Sequence, residues 1–148
     1  MYNFHIRLHE EMTMGKEMEC EMLRNLYLEK GYNCAEATLM TMGDQLGLDI
    51  CEEDVKLIGA FGGGMGCGEA CGALCASIAV IGLLEIKGKA HDTPQLKGDC
   101  AEFVCRFREK MGGSVNCRDI KERNTIPGQR CYKTVIENYE ILKEFLDK

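Results

Sequence analysis

From Ala70 to Leu84 the chain carries no charged residue, and its apolar side chains leave no polar face on a helical wheel. Such a run is too short to span a bilayer. It predicts a buried central helix over about 69–86, around which the other segments must wrap. Their periodicity suits that task. Residues from about 16 to 30 set Met22, Leu23, Leu26 and Tyr27 on one side, with Gly31 as a stop. Asn33 and Glu36 form a capping box for a second helix, striped by Ala35, Leu39, Met42 and Leu46 and ended by Gly47. Asp49 and Glu52 repeat the box before a third, with Val55, Ile58 and Phe61 inward. Thr93 as cap and Pro94 as first residue open another, along which Leu96, Cys100, Phe103, Phe107 and Met111 recur until Gly112-Gly113. A short turn near 116–122 leads to a last helix of about 129–147, carrying Cys131, Val135, Tyr139, Leu142 and Leu146 in register. No stretch alternates with period two. The expectation is an all-α, single-domain compact bundle of about five to six helices over residues 16–148, with 1–15 a loose N-terminal segment.

At 148 residues the chain can bury a real core without disulfide staples. A net charge of −6 argues against a nucleic-acid partner, and acids interrupt the basic patch of Arg118, Lys121, Arg123 and Arg130. The first twelve residues lack the apolar core of a signal peptide. The expectation is therefore a cytoplasmic protein without membrane insertion, in a compartment that keeps cysteines reduced. Seven of the nine methionines fall within residues 1–42, which suggests an adaptable contact between copies in a homo-oligomer. Hydrolase chemistry lacks a nucleophile–base pair. His91 sits in a predicted loop, and His5 and His9 read as solvated surface near a frayed end. The carboxylates Glu52, Glu53 and Asp54 are explained by the start of a helix.

Ten cysteines remain, and no C-x-x-C spacing occurs among them. That removes the commonest thioredoxin-like and zinc-ribbon explanations. The run from Phe61 to Gly68 is no phosphate loop, since it fits no register of G-x-G-x-x-G and no G-K-[ST] follows. It reads instead as close backbone approach before the central helix. Cys67, Cys71 and Cys75 recur every fourth residue there and share a face if the helix starts early enough. The positive end of a helix favours thiolate character at Cys67 and Cys71. The alternative is small thiols lining a tightly packed helix beside Ala73, Ala76 and Ala79, and Cys75 fits that better. Cys20, Cys51 and Cys100 line up with apolar stripes and read as buried small hydrophobes, while Cys105 reads as incidental. Cys34 sits in the first turn of a capped helix, on a row continued by the polar Thr38, Thr41 and Gln45. Cys117 lies in a connection beside Arg118, again favouring the anion, and Cys131 opens the last helix pointing inward. Helix starts and loops are where ligands converge, so Cys34, Cys71, Cys117 and Cys131 form the preferred constellation.

At these residues the chain resembles the C-GCAxxG-C-C family of small proteins described as redox-active. The matching pieces are Gly31 to Ala37, then Phe61 through Cys71-Gly72-Ala73 to Leu83, then Gly113-Ser114 with Cys117-Arg118, and finally Cys131. The family's four recurrent cysteines fall on Cys34, Cys71, Cys117 and Cys131. Ala76 stands where the family's CGAxxG segment has its last glycine, and Cys67 and Cys75 are additional. The resemblance implies a helical domain with redox or metal chemistry, and a redox partner protein or transport system.

Three functions follow. In the first, Cys34, Cys71, Cys117 and Cys131 ligate an iron–sulfur cluster, or zinc as the alternative, with Cys67 and Cys75 as extra ligands, for electron transfer or sensing. The second is a metal-free thiol–disulfide oxidoreductase in which Cys71 attacks and Cys117 or Cys34 resolves. In the third the protein is a non-catalytic helical partner with structural cysteines.

Overall fold

The computed structural model describes residues 21–147. The segment 1–15, with His5 and His9, and Cys20 lie outside them, as does the start expected for the first helix near residue 16. Seven helices and no strand occur among the described residues. Helix α1 covers 21–29 and closes in a π turn, Asn25–Glu29. It is followed by α2 (Cys34–Leu46), α3 (Glu52–Gly59), α4 (Gly72–Glu85), α5 (Leu96–Lys110), α6 (Cys117–Asn124) and α7 (Tyr132–Leu146). The uncharged segment is indeed the axis: α4 packs against α2, α5 and α7. Its Ala73, Ala76, Val80 and Ile81 are fully buried, as are Ala35 and Ala37 of α2. Small side chains let helix backbones approach closely. The far side is filled by larger groups, where Phe103 of α5 meets Phe145 of α7 edge to face, ring centroids 5.4 Å apart. Each such buried side chain contributes about 1.5–3 kcal/mol.

One polar pair sits inside this packing. Asn138 of α7 donates to the carbonyl of Ala73 at 3.3 Å and to Ser77 Oγ at 2.9 Å, and both side chains are fully buried. Sliding α7 along α4 would strand that amide, so the pair fixes their register.

Helix starts follow local chemistry, with two corrections. Asn33 Oδ1 accepts from the N–H groups of Ala35 and Glu36, both at 3.0 Å, and the Glu36 carboxylate accepts from Asn33 N–H at 2.9 Å. That is the box read in the sequence. At α3 the cap is Cys51, not Asp49, and Asp54, not Glu52, accepts its N–H at 3.0 Å. A turn in which Ile50 N–H donates to Leu48 carbonyl delays the helix. At α5, Thr93 Oγ1 donates to Lys89 carbonyl at 3.0 Å instead of capping, so Pro94 lies in a turn and the helix opens at Leu96. The expected turn near 116–122 is α6, which buries Ile120.

Of the expected inner face of α3, Ile58 is buried and Val55 half-buried, whereas Phe61 beyond the helix end is 37% exposed. Helix α3 lies at the margin of the bundle, and Leu57, Phe61 and Leu83 border an apolar groove of about 810 Å³ between α3, α4 and α5. No helix among the described residues is long and apolar enough to cross a membrane.

Candidate thiol centre

Cys34 and Cys117 are the first residues of α2 and α6, and Cys71 and Cys131 immediately precede α4 and α7. Four cysteines distant in the chain thus occupy four helix starts, where backbone N–H groups lack intrahelical partners and the potential is positive. The fold makes them neighbours. Ionisation of Cys34 is opposed by Cys131, that of Cys71 by Cys34 and Cys117, and that of Cys117 by Cys131 and Cys34. They form one electrostatic group.

Two backbone devices bring this about. Ala70 and Asn116 form an isolated antiparallel bridge. Across it Cys71 N–H donates to Val115 carbonyl at 2.9 Å and Cys117 N–H to Glu69 carbonyl at 2.6 Å, so one contact pins both cysteines. The second device is the glycine run before α4, in which Gly63, Gly64, Met65, Gly66 and Gly68 all have left-handed backbone. A Cβ on Gly64 would stand 2.7 Å from that of Cys117, and one on Gly72 would stand 2.8 Å from Cys34 Sγ. Only glycine permits these approaches.

The N–H groups of Gly63, Ala35 and Ala73 face the Cys34 sulfur, and those of Leu74 and Ala73 face Cys71. They favour the thiolate, but burial outweighs them. Removal from water is the largest influence on all three affected thiols, raising Cys34 and Cys117 and pushing Cys71, only 5% exposed, up to about 12. The thiolate character predicted for Cys34, Cys71 and Cys117 is therefore corrected: in the metal-free protein these are neutral thiols. Arg118, expected to favour the Cys117 anion, instead clasps the glycine run. It pairs with Glu69 at 2.7 Å and donates to the carbonyls of Gly68 and Cys67 at 3.2 and 3.3 Å.

Cys131 N–H donates to the Tyr27 hydroxyl at 3.0 Å, and Thr125 Oγ1 lies 4.0 Å from its sulfur. Cys75, one turn beyond Cys71, is near enough for Cys34 to raise it, after the larger effect of burial, and it borders the apolar groove. Cys67 is exposed, its thiol directed at Gly64 carbonyl at 3.5 Å. The shared face expected for Cys67, Cys71 and Cys75 does not form, because left-handed Gly68, non-helical Glu69 and Cys71, and the Ala70 bridge lie between Cys67 and α4. Cys51 is exposed at its cap rather than buried, Cys100 is half-buried and Cys105 is exposed. The polar row after Cys34 turns inward: Thr38 and Thr41 are buried, with Thr38 Oγ1 donating to Cys34 carbonyl at 2.7 Å.

Tyr27 and Arg130 were not among the candidate residues. Tyr27 reads as part of an apolar stripe and Arg130 as part of a basic patch, and no local spacing signals that Tyr27 meets Arg130 and Cys131.

The nine cysteines among the described residues are free thiols. Among the same residues, no group of three or more His, Cys, Asp or Glu is gathered tightly enough to hold a metal ion. Tetrahedral zinc would need its sulfurs roughly 3.8 Å apart, given Zn–S bonds of about 2.3 Å. Soft donors coupled in charge and supplied with N–H groups have the chemistry of thiolate ligands to a metal group.

No curated protein and no solved structure matches the chain. A family model described as "Putative redox-active protein (C_GCAxxG_C_C)" matches residues 32–145, a span that contains all four helix-start cysteines and the glycine run between the first two. The chain belongs to the C_GCAxxG_C_C family.

Proposed function

We propose that Cys34, Cys71, Cys117 and Cys131 act as one redox centre that holds an iron–sulfur cluster and serves electron transfer or sensing. The observation that carries this reading is their convergence at four helix starts, where one backbone bridge pins Cys71 and Cys117 and Cys34 Sγ packs against Gly72. Buried neutral thiols that oppose one another's ionisation are poor nucleophiles at neutral pH. They are good sites for iron, because a cation among them offsets the repulsion as their protons leave. The helix starts, with the N–H groups of Gly63, Ala35, Ala73 and Leu74, then favour the negative charge left on sulfur. When bound, the cluster supplies one-electron chemistry. The chain itself supplies four thiolates, the N–H groups that tune them, and the packing around Cys71 that keeps water out. A cytoplasmic redox partner or transport system belongs to the same reading.

The test is anaerobic purification followed by visible spectroscopy and iron and sulfide analysis. A brown protein is expected, whose colour is lost in Cys34→Ser, Cys71→Ser, Cys117→Ser and Cys131→Ser but retained in Cys51→Ser and Cys105→Ser. A colourless protein whose thiols take up no iron on reconstitution overturns the reading.

One observation favours a second reading. Cys71 and Cys117 are pinned by the same backbone bridge, which keeps the two thiols of a disulfide mechanism in one region. In that case the more accessible Cys117, not Cys71, is the attacking thiol. A metal-free protein with a reversible Cys71–Cys117 bond would establish it.

A further inference from the structure

Tyr27 is 3% exposed, yet its hydroxyl points into the thiol centre. The phenolic oxygen accepts from Cys131 N–H at 3.0 Å. Its hydrogen is thereby left to donate, and no acceptor for it is bonded among the described residues. The groups near enough to act on that hydroxyl electrostatically are the thiols of Cys131 and Cys34 and the guanidinium of Arg130. Arg130 lies over the Tyr27 ring, 4.1 Å from its centroid, and also donates to the Tyr27 carbonyl. It does so from a left-handed backbone, φ 51°, which is rare for a side chain of this size and sits directly before Cys131. A ring stacked on Tyr132 at 6.1 Å completes the fixation. A buried tyrosine held this firmly, with one hydrogen unspent beside two sulfurs, is more than core filling.

We infer that Tyr27 is a positioning residue of the thiol centre, whose hydroxyl holds the Cys131 backbone and donates a hydrogen bond to the sulfur of Cys131 or Cys34 when that sulfur carries negative charge. The inference rests on the reading that the four cysteines are the working centre. Donors to cluster sulfurs stabilise the more negative, reduced state and raise the reduction potential. A hydrogen bond to a charged group is large enough to change the redox equilibrium about tenfold.

The experiment compares the full chain with Tyr27→Phe, which keeps the ring, its stacking and the Arg130 contact, and with 3-fluorotyrosine introduced at position 27 as a stronger donor. In iron-loaded protein, Tyr27→Phe should retain its iron and melt somewhat lower, because Cys131 N–H loses its acceptor, while the midpoint potential falls by about tenfold in equilibrium constant, or about 59 mV for one electron. The fluorinated protein should shift the opposite way. Unchanged potentials, or shifts of the reverse sign, overturn the inference. If wild-type protein takes up no iron, the cluster reading fails by itself, and Tyr27 is judged by iodoacetamide labelling of Cys131 and Cys34 at fixed mildly alkaline pH. Labelling of one of them should be slower in Tyr27→Phe and faster in the fluorinated protein, and equal rates overturn the inference. Should Tyr27→Phe not fold, the fluorinated protein decides by the same readouts.

Discussion

A thiol kept from water holds its proton far into the alkaline range, and at Cys71 this gives the fold a measurable pH dependence. In metal-free protein the folded thiol titrates near 12 against an ordinary value of 9.0. Between those values the native state keeps a proton that the unfolded chain has released. The unfolded state then binds fewer protons, so stability falls as pH rises from about 9 towards 12 and is unaffected well below 9. The loss approaches roughly 1.4 kcal/mol per unit of difference. Cys71→Ala should flatten this alkaline decline relative to wild type, as read from urea midpoints between about pH 8 and about pH 11. Equal slopes would refute the assignment. The example also separates what is legible from what is not. That Cys71 begins a helix can be read from the glycine run before it and the apolar run after it. Its charge state cannot, because the dipole that favours the anion is local whereas the burial that overrides it is supplied by the rest of the fold.

At the scale of elements, the centre depends on how closely α4 approaches the start of α2. Gly72→Ala would put a Cβ 2.8 Å from both Cys34 Sγ and Phe61 carbonyl. It should cost about 1–3 kcal/mol and reduce iron uptake. Gly82→Ala, ten residues along the same helix, meets only Ile86 Cδ1 at 3.7 Å and should stabilise by about 0.5–1 kcal/mol without affecting the centre. Thermal melts with iron analysis on the pair decide whether the requirement is local; similar behaviour of both variants would sink it. Helix α2 was legible to its ends because Asn33, Glu36 and Gly47 act within a turn of themselves. The start of α3 was not. The box expected at Asp49 and Glu52 gives way to Cys51 and Asp54, because the turn through Leu48 and Ile50 delays the helix. Local patterns likewise do not show the non-helical backbone of Gly68, Glu69 and Cys71 that removes Cys67 from the face of Cys71.

For the whole molecule, α7 must settle on α4 in one register if Cys131 is to reach the centre. The buried Asn138 amide bonded to Ala73 and Ser77 is the polar contact that enforces it. Asn138→Ala leaves Ser77 with fewer partners and opens space beside α4. A loss of about 2 kcal/mol is expected, which corresponds to a melting point lower by roughly 4–8 °C for a chain of this size. A melt unchanged within error would mean that apolar packing alone sets the register.

The all-α class and the buried axis follow from the sequence by itself, since a long uncharged run without period two must be a helix and must be enclosed. So does the placement of Cys34, Cys71 and Cys131 near helix starts, because helix-start signals are written within a few residues. Only the tertiary structure decided that the four cysteines of the centre are neighbours, that burial raises the Cys34, Cys71 and Cys117 thiols, and that Tyr27 reaches Cys131. Those properties come from contacts between segments far apart in the chain and from the exclusion of water, neither of which a local pattern records.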